Sequence, residues 1–238
     1  ASGIWAISGT AFICAICVLD WFVKDDGRPT PNDPQWTPDI VLALHVLLNT
    51  LAITSLLYAV SGGTLPKWRI GDATLSTGLN SGISGIVVAH ELIHRRERGW
   101  RRAGIWNLFL VNFTHFYVEH VQGHHKYVGT KGDPSTARRN ESIYHYLVRS
   151  IPQQFVCALR LEADRLRKLG RRPYGIGNFT VAAAVLQLGF AVCLGLALGF
   201  RTAQAFLIQG LTAVVLLQIV NYLQHYGLER TAGTRIDP

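Results

Sequence analysis

Glu119-His120-Val121-Gln122-Gly123-His124-His125 sets three imidazoles and a carboxylate within seven residues, directly after an apolar run. Neutral imidazole is the commonest metal-binding side chain. On a helix, the H-x-x-x-H spacing of His120 and His124 puts both rings on one face, one turn apart, so that both reach one ion. His125 then turns about a hundred degrees away and reaches towards a second. A polar helix end with incidental histidines is the competing explanation.

A second H-x-x-x-H pair stands at His90 and His94, and Arg95, Arg96, Arg98, Arg101 and Arg102 follow it. A sixth imidazole, His225, lies in Asn221-Tyr222-Leu223-Gln224-His225-Tyr226-Gly227. Six histidines exceed one four-coordinate site, so two ions are favoured. Ligand type alone does not name the metal, since imidazole suits iron, zinc, copper and nickel. Glu91, Glu119 and Asp133 adjoin these boxes as candidate catalytic-site carboxylates. The main role expected of them is to accept the distal imidazole N–H and fix ring orientation; bridging the metals is the other role. Arg138 and Arg139 either pair with such carboxylates or are solvated loop charges. The four cysteines (Cys14, Cys17, Cys157, Cys193) form no ligand set.

The elements that must carry these residues are apolar. Of 238 residues, 49% are hydrophobic and only 16% charged, against about 25% charged in a soluble domain. The apolar residues come in long blocks, the pattern of a multi-pass membrane protein. The expected fold is therefore all-α, a transmembrane helix bundle with a histidine-rich di-metal site at its cytoplasmic side. Spans are expected at Ile4 to Val23, Ile40 to Val60, Ala73 to His94, Phe179 to Phe200, and Ala203 to Tyr222. Gly78, Gly82 and Gly85 give the third a small-residue face for close packing. His45, alone in the second span, is expected to be a hydrogen-bonded structural residue.

Ala103 to Val118 is apolar but short. If it crossed the bilayer, the two His boxes would lie on opposite faces, so it is expected to dip in without spanning. Ile151 to Leu169 reads as an amphipathic interfacial helix, with Val156, Leu159, Ala163, Leu166 and Leu169 on its apolar face. Sixteen of the 23 Lys and Arg lie between Arg95 and Arg172, which assigns that stretch to the cytoplasm. No nucleic-acid reading motif accompanies the charge, so nucleic acid is not expected as a partner. Two metals in an apolar bundle imply an apolar substrate entering from the bilayer. Trp5, Phe12 and Leu47 are candidates to line its path. Attack on an unactivated C–H bond needs oxygen chemistry that zinc does not perform, which favours iron.

Three segments carry a family resemblance: AHELIH at Ala89–His94, EHVQGHHKYVGTKGDPSTAR at Glu119–Arg138, and NYLQHYGL at Asn221–Leu228. They resemble the motifs of the integral-membrane alkane monooxygenases, within the fatty acid desaturase/hydroxylase superfamily. The resemblance implies hydroxylation of terminal methyl groups on alkanes or related alkyl and alkyl-aromatic compounds. It implies O2, two iron ions per chain, and a rubredoxin or ferredoxin as electron donor. It also implies that His90, His94, His120, His124, His125 and His225 are iron ligands in a multi-pass protein of the bacterial inner membrane. Gln224 departs from the family's Glu. The family's third box, H-x-x-H-H, and an extra amino-terminal span are not found in this sequence. Residues 1–238 are thus expected to be a single membrane-embedded domain, an internal fragment of a longer polypeptide. The alternatives are a membrane fatty-acid desaturase or hydroxylase, and a non-catalytic membrane subunit that has lost its third His box.

Overall fold

The computed structural model describes residues 36–63 and 65–230. The expected first span, Ile4 to Val23, lies outside them, together with Trp5, Phe12, Cys14 and Cys17. Among the described residues the chain is helical, with no strand. The main helices are α1 (Trp36–Ser61), α2 (Lys67–Asn80), α3 (Ile86–His94), α4 (Arg98–Leu110), α5 (Ile143–Lys168), α6 (Phe179–Leu198) and α7 (Phe200–His225). Three segments are long and apolar enough to cross a bilayer: Pro38–Ser61, Phe179–Leu198 and Phe200–His225.

The expected third span is a helical run from Lys67 to His94, interrupted by a π-helical stretch at Ser81–Gly85. Its glycines let two backbones meet. A Cβ on Gly78 would stand 2.6 Å from the Gln209 carbonyl, and one on Gly82 3.0 Å from the Ala213 carbonyl. Both numbers rise together, so this run and α7 are parallel and end at the same level, with His90 and His94 beside His225. On the other flank, Gly85 packs against Asn49 of α1. Asn49 accepts from Ser81 at 3.0 Å and donates to Asn107 at 3.4 Å, while Asn107 donates to the Gly85 carbonyl at 3.3 Å. A π turn loosens the backbone ladder, and Asn107 of α4 takes up a carbonyl there.

Helix α4 dips into the bundle and turns back at Val111-Asn112-Phe113, with Asn112 at φ +58°. This tip lies halfway along α6 and α7. The carbonyls at the end of a helix have no intrahelical partner, and inside a bilayer no water replaces one. Two glutamines from the spans supply it: Gln187 donates to the Phe109 carbonyl at 3.5 Å and Gln209 to the Leu110 carbonyl at 2.7 Å. Gly210 makes room, since a Cβ there would stand 2.7 Å from the Val111 carbonyl. The chain then climbs back through Phe116–Tyr127 to the end it left.

Two boundaries differ from expectation. The hairpin between the last spans turns at Gly199, φ +93°, so Arg201 and Thr202 lie inside α7 rather than in the turn. A positive φ at a one-residue link is open to glycine at little steric cost. Helix α5 starts at Ile143, earlier than the apolar periodicity indicates, with Ser142 capping His145 N–H. Its buried face holds Tyr146, Ser150, Gln154, Ala158, Glu162, Ala163 and Leu166; of the expected apolar face Ala163 and Leu166 are buried, while Val156 and Leu169 are exposed. The inner face is rotated because it meets polar side chains of α7 and the start of α6, so polarity did not mark the outside.

Candidate metal centre

Helix α3 presents His90 and His94 one turn apart, with ring centroids 4.9 Å from each other. The facing segment, Glu119–His124, is π-helical rather than α-helical. In an i→i+5 turn, residues five apart come into register. His120 and His125 are therefore the pair that converges, with Nε2 atoms 2.9 Å apart. One ligand nitrogen from each of His90, His94, His120 and His125 lies within 4.8 Å of the other three. His124 turns the other way and meets His225 edge-on, ring centroids 4.9 Å apart. The H-x-x-x-H expectation for this box is thus corrected. His120 partners His125, and His124 is the imidazole that reaches away, because the turn is wider than an α-helical one.

The surroundings decide which nitrogen each ring offers. His124 Nδ1 lies 2.9 Å from Asp133 Oδ2. Burial alone would raise the Asp133 carboxyl, but hydrogen bonds from His124 and Thr136 outweigh it and hold the group below its ordinary range. Asp133 is therefore an acceptor, and His124 keeps Nε2 as its lone pair. His225 Nδ1 lies 2.9 Å from the Asn221 carbonyl, which can only accept, so here too Nε2 is left free. Burial, then the imidazoles around it, hold His120 well below the ordinary histidine pKa. Burial, followed by His94 and His124, lowers His125 as well. Neutral rings with free lone pairs are the form that binds a metal.

The cluster fits a metal ion. Two nitrogens bound at about 2.1 Å and at right angles would stand about 3 Å apart, close to the separation of His120 and His125. His120 and His124 are buried, His90 is half-buried, and His94 and His125 are exposed, so the group of four faces an opening. The six imidazoles divide into four and two.

The carboxylates do not behave alike. Asp133 accepts from an imidazole. Glu119 is fully buried and accepts from Ser135 at 3.3 Å, while its Oε2 has no partner among the described residues. Burial, with Asp133 adding to it, pushes its carboxyl up to about 8. Glu91 points outward: it pairs with Arg95 at 3.0 Å, and Arg95 bonds Asp39 of α1 at 3.0 Å. Arg138 and Arg139 are exposed on the loop. His145 is bonded to Glu141, His115 is buried between Phe113 and Phe155, and half-buried His45 stands outside the cluster. Leu47 is exposed on α1.

Several supporting residues were not picked out from sequence. Glu141 is held by Arg149 at 2.7 and 2.8 Å and braces the loop after Asp133. Gln187, Gln209 and Gln218 are buried polar groups in apolar helices, and that mismatch was the available signal. Beside Asp133 opens a cavity of about 780 Å³ lined by Lys131, Arg138, Arg139 and Glu229, among others.

The sequence model of the fatty acid desaturase family matches residues 66–237. Alkane 1-monooxygenase 1 of Pseudomonas aeruginosa is 38% identical over 96% of this chain and 62% of its own length. Alkane 1-monooxygenase 2 of Alcanivorax borkumensis is 33% identical over 97% and 63%. The hydroxylase component XylM of the xylene/toluene monooxygenase of Pseudomonas putida is 28% identical over 96% and 62%. The chain spans about three fifths of the length of these relatives.

Proposed function

Since this chain belongs to the fatty acid desaturase family, we propose that it acts as a membrane di-iron monooxygenase. Its substrates are alkanes or related alkyl and alkyl-aromatic compounds, hydroxylated at a terminal methyl group. The observation that carries this is the convergence of six imidazoles from three stretches at one end of an apolar helix bundle, four on one side and two on the other. His90, His94, His120 and His125 would hold one iron, and His124 and His225 would contribute to the second. When bound, the irons supply oxygen-dependent attack on an unactivated C–H bond.

The chain's own residues make the site ready. Asp133 and the Asn221 carbonyl fix the tautomers of His124 and His225 before any ion arrives. The buried tip of the re-entrant segment, Phe113 and Phe116, packs beneath His120 and excludes water from that side. The apolar spans favour a hydrocarbon over a polar competitor, and alignment of a chain end is worth up to about 7–11 kcal/mol of barrier. The cationic residues round the Asp133 cavity suit an acidic rubredoxin or ferredoxin arriving from the cytoplasm at the inner membrane of a bacterium. The relatives' names support the substrate class.

The test is product analysis with octane, xylene and a fatty acid, in membranes supplied with a reductant. Oxygen-dependent terminal alcohol from octane or xylene is expected. Product from the fatty acid alone would point to a lipid hydroxylase or desaturase. No product from any of them, with no bound metal, would leave a non-catalytic subunit.

A further inference from the structure

Gln218, Tyr222 and His225 follow one another at i, i+4 and i+7 on α7, and so share one stripe of that helix. The first two are anchored. Gln218 is fully buried and exchanges a reciprocal pair of amide hydrogen bonds with Gln154 of α5, at 2.8 and 3.2 Å. The Ser150 and Tyr146 hydroxyls stand 3.2 and 3.1 Å from the same Gln218 oxygen. One turn on, the Tyr222 hydroxyl donates to the Glu141 carbonyl at 2.7 Å.

The same amide reaches the other imidazole's mount. The Tyr146 hydroxyl lies 2.9 Å from the Ser135 carbonyl. Ser135 N–H donates to Asp133 at 3.1 Å, and Asp133 accepts from His124 at 2.9 Å. The Tyr146 hydroxyl has one proton to donate, to the Ser135 carbonyl or to Gln218, and it packs within 3.1 Å of both; Gln218, on the helix that carries His225, thus stands one side chain away from the loop that holds His124. A buried amide is costly when unpaired, and a fully paired network has one arrangement rather than several. An apolar residue at 218 would satisfy the helix but would leave its rotation to packing alone.

We propose that Gln218 is a positioning residue. Its amide, clasped by Gln154, sets the rotation of α7 that aims His225 at His124, and through Tyr146 it fixes the loop bearing Asp133. This rests on the assignment of His124 and His225 as metal ligands. The other four imidazoles sit on α3 and on the 116–127 stretch, and no hydrogen bond among the described residues runs from Gln218 to any of them.

The experiment compares the wild-type chain with Gln218→Leu, Gln209→Leu and Tyr146→Phe in membranes, each loaded with iron-57. Iron per chain and the Mössbauer spectrum are read, with thermal unfolding alongside. Gln209 is an equally buried glutamine of α7 that caps the re-entrant tip, so its variant reports loss of stability alone. Gln218→Leu is expected to keep the iron of the four-histidine group and to weaken the second by tenfold or more, changing one spectral component. Gln209→Leu is expected to melt earlier with both components intact. Tyr146→Phe should shift the same component as Gln218→Leu, and it carries the test should that variant fail to accumulate. A wild-type spectrum in Gln218→Leu or, failing it, in Tyr146→Phe would overturn the proposal, as would equal loss of both components in Gln218→Leu. Wild-type protein without iron would instead overturn the metal assignment itself.

Discussion

His225 meets His124 edge-on, ring centroids 4.9 Å apart, although one ends the last span and the other follows a re-entrant segment. Asp133 accepts from His124 and the Asn221 carbonyl from His225, so each ring keeps Nε2 as its free nitrogen. Asp133→Asn keeps the size of the side chain but ends its role as an obligate acceptor. Metal held by His124 should weaken about 10–100-fold, while the four-histidine group keeps its own. Chelator competition on the purified protein, read as metal per chain against chelator concentration, checks this.

The re-entrant tip depends on a close approach that only glycine allows. A Cβ on Gly210 would stand 2.7 Å from the Val111 carbonyl and 2.9 Å from Asn112 Nδ2. Both contacts are rigid backbone or buried amide at mid-bundle. Gly210→Val should cost about 1–3 kcal/mol through overpacking and lower the melting temperature of the detergent-extracted protein. Gly189 meets nothing within 4 Å of an added Cβ, so Gly189→Ala should melt at or above the wild-type temperature.

Much of this was legible in the residues. Box spacing, apolar block lengths and a parity argument were enough to expect an all-α bundle, a dipping segment and six histidines at one end. The pairing of those histidines was not legible, because H-x-x-x-H brings two rings together on an α-helical turn and Glu119–His124 forms a π-helical one. Nor was the outward turn of Glu91, which follows Arg95 and Asp39 rather than an imidazole. On α5, periodicity finds Ala163 and Leu166 of the inner face but not Tyr146, Ser150 and Gln154. Hydrophobic periodicity finds a face that meets hydrocarbon, and this one meets Gln218.

Glu141 gives a pH prediction. Its hydrogen bonds with Arg149 come first among the causes that hold its carboxyl down to about 2, against an ordinary value of 4.5. A depressed folded-state pKa means that the stabilisation is fully present above the ordinary carboxylate range and is lost as pH falls from about 4.5 towards about 2. Its size is about 3 kcal/mol. Melting temperature should hold from pH 7 to 5 and then fall. Glu141→Gln should melt lower at pH 7, because it leaves Arg149 buried without its counter-charge, and the difference from wild type should narrow as pH approaches 2. A difference that stayed constant down to pH 2 would show that the ion pair is not its source.

The cavity beside Asp133 brings Lys131, Arg138 and Arg139 close to a carboxylate that touches a candidate metal ligand. Such charges steer an acidic carrier and are screened by salt within about 10 Å at 0.1 M. Raising ionic strength should slow turnover driven by rubredoxin or ferredoxin, and a small uncharged reductant should support turnover that salt does not change. Charge reversal at all three positions should raise the KM for the protein donor about tenfold or more with little change in kcat. The protein should stay in the membrane fraction in both cases. Lipid headgroups are the rival explanation for these cations, and they would show a different pattern. The spans would still hold the protein in the membrane at any salt, and neither salt nor charge reversal would move the donor's KM.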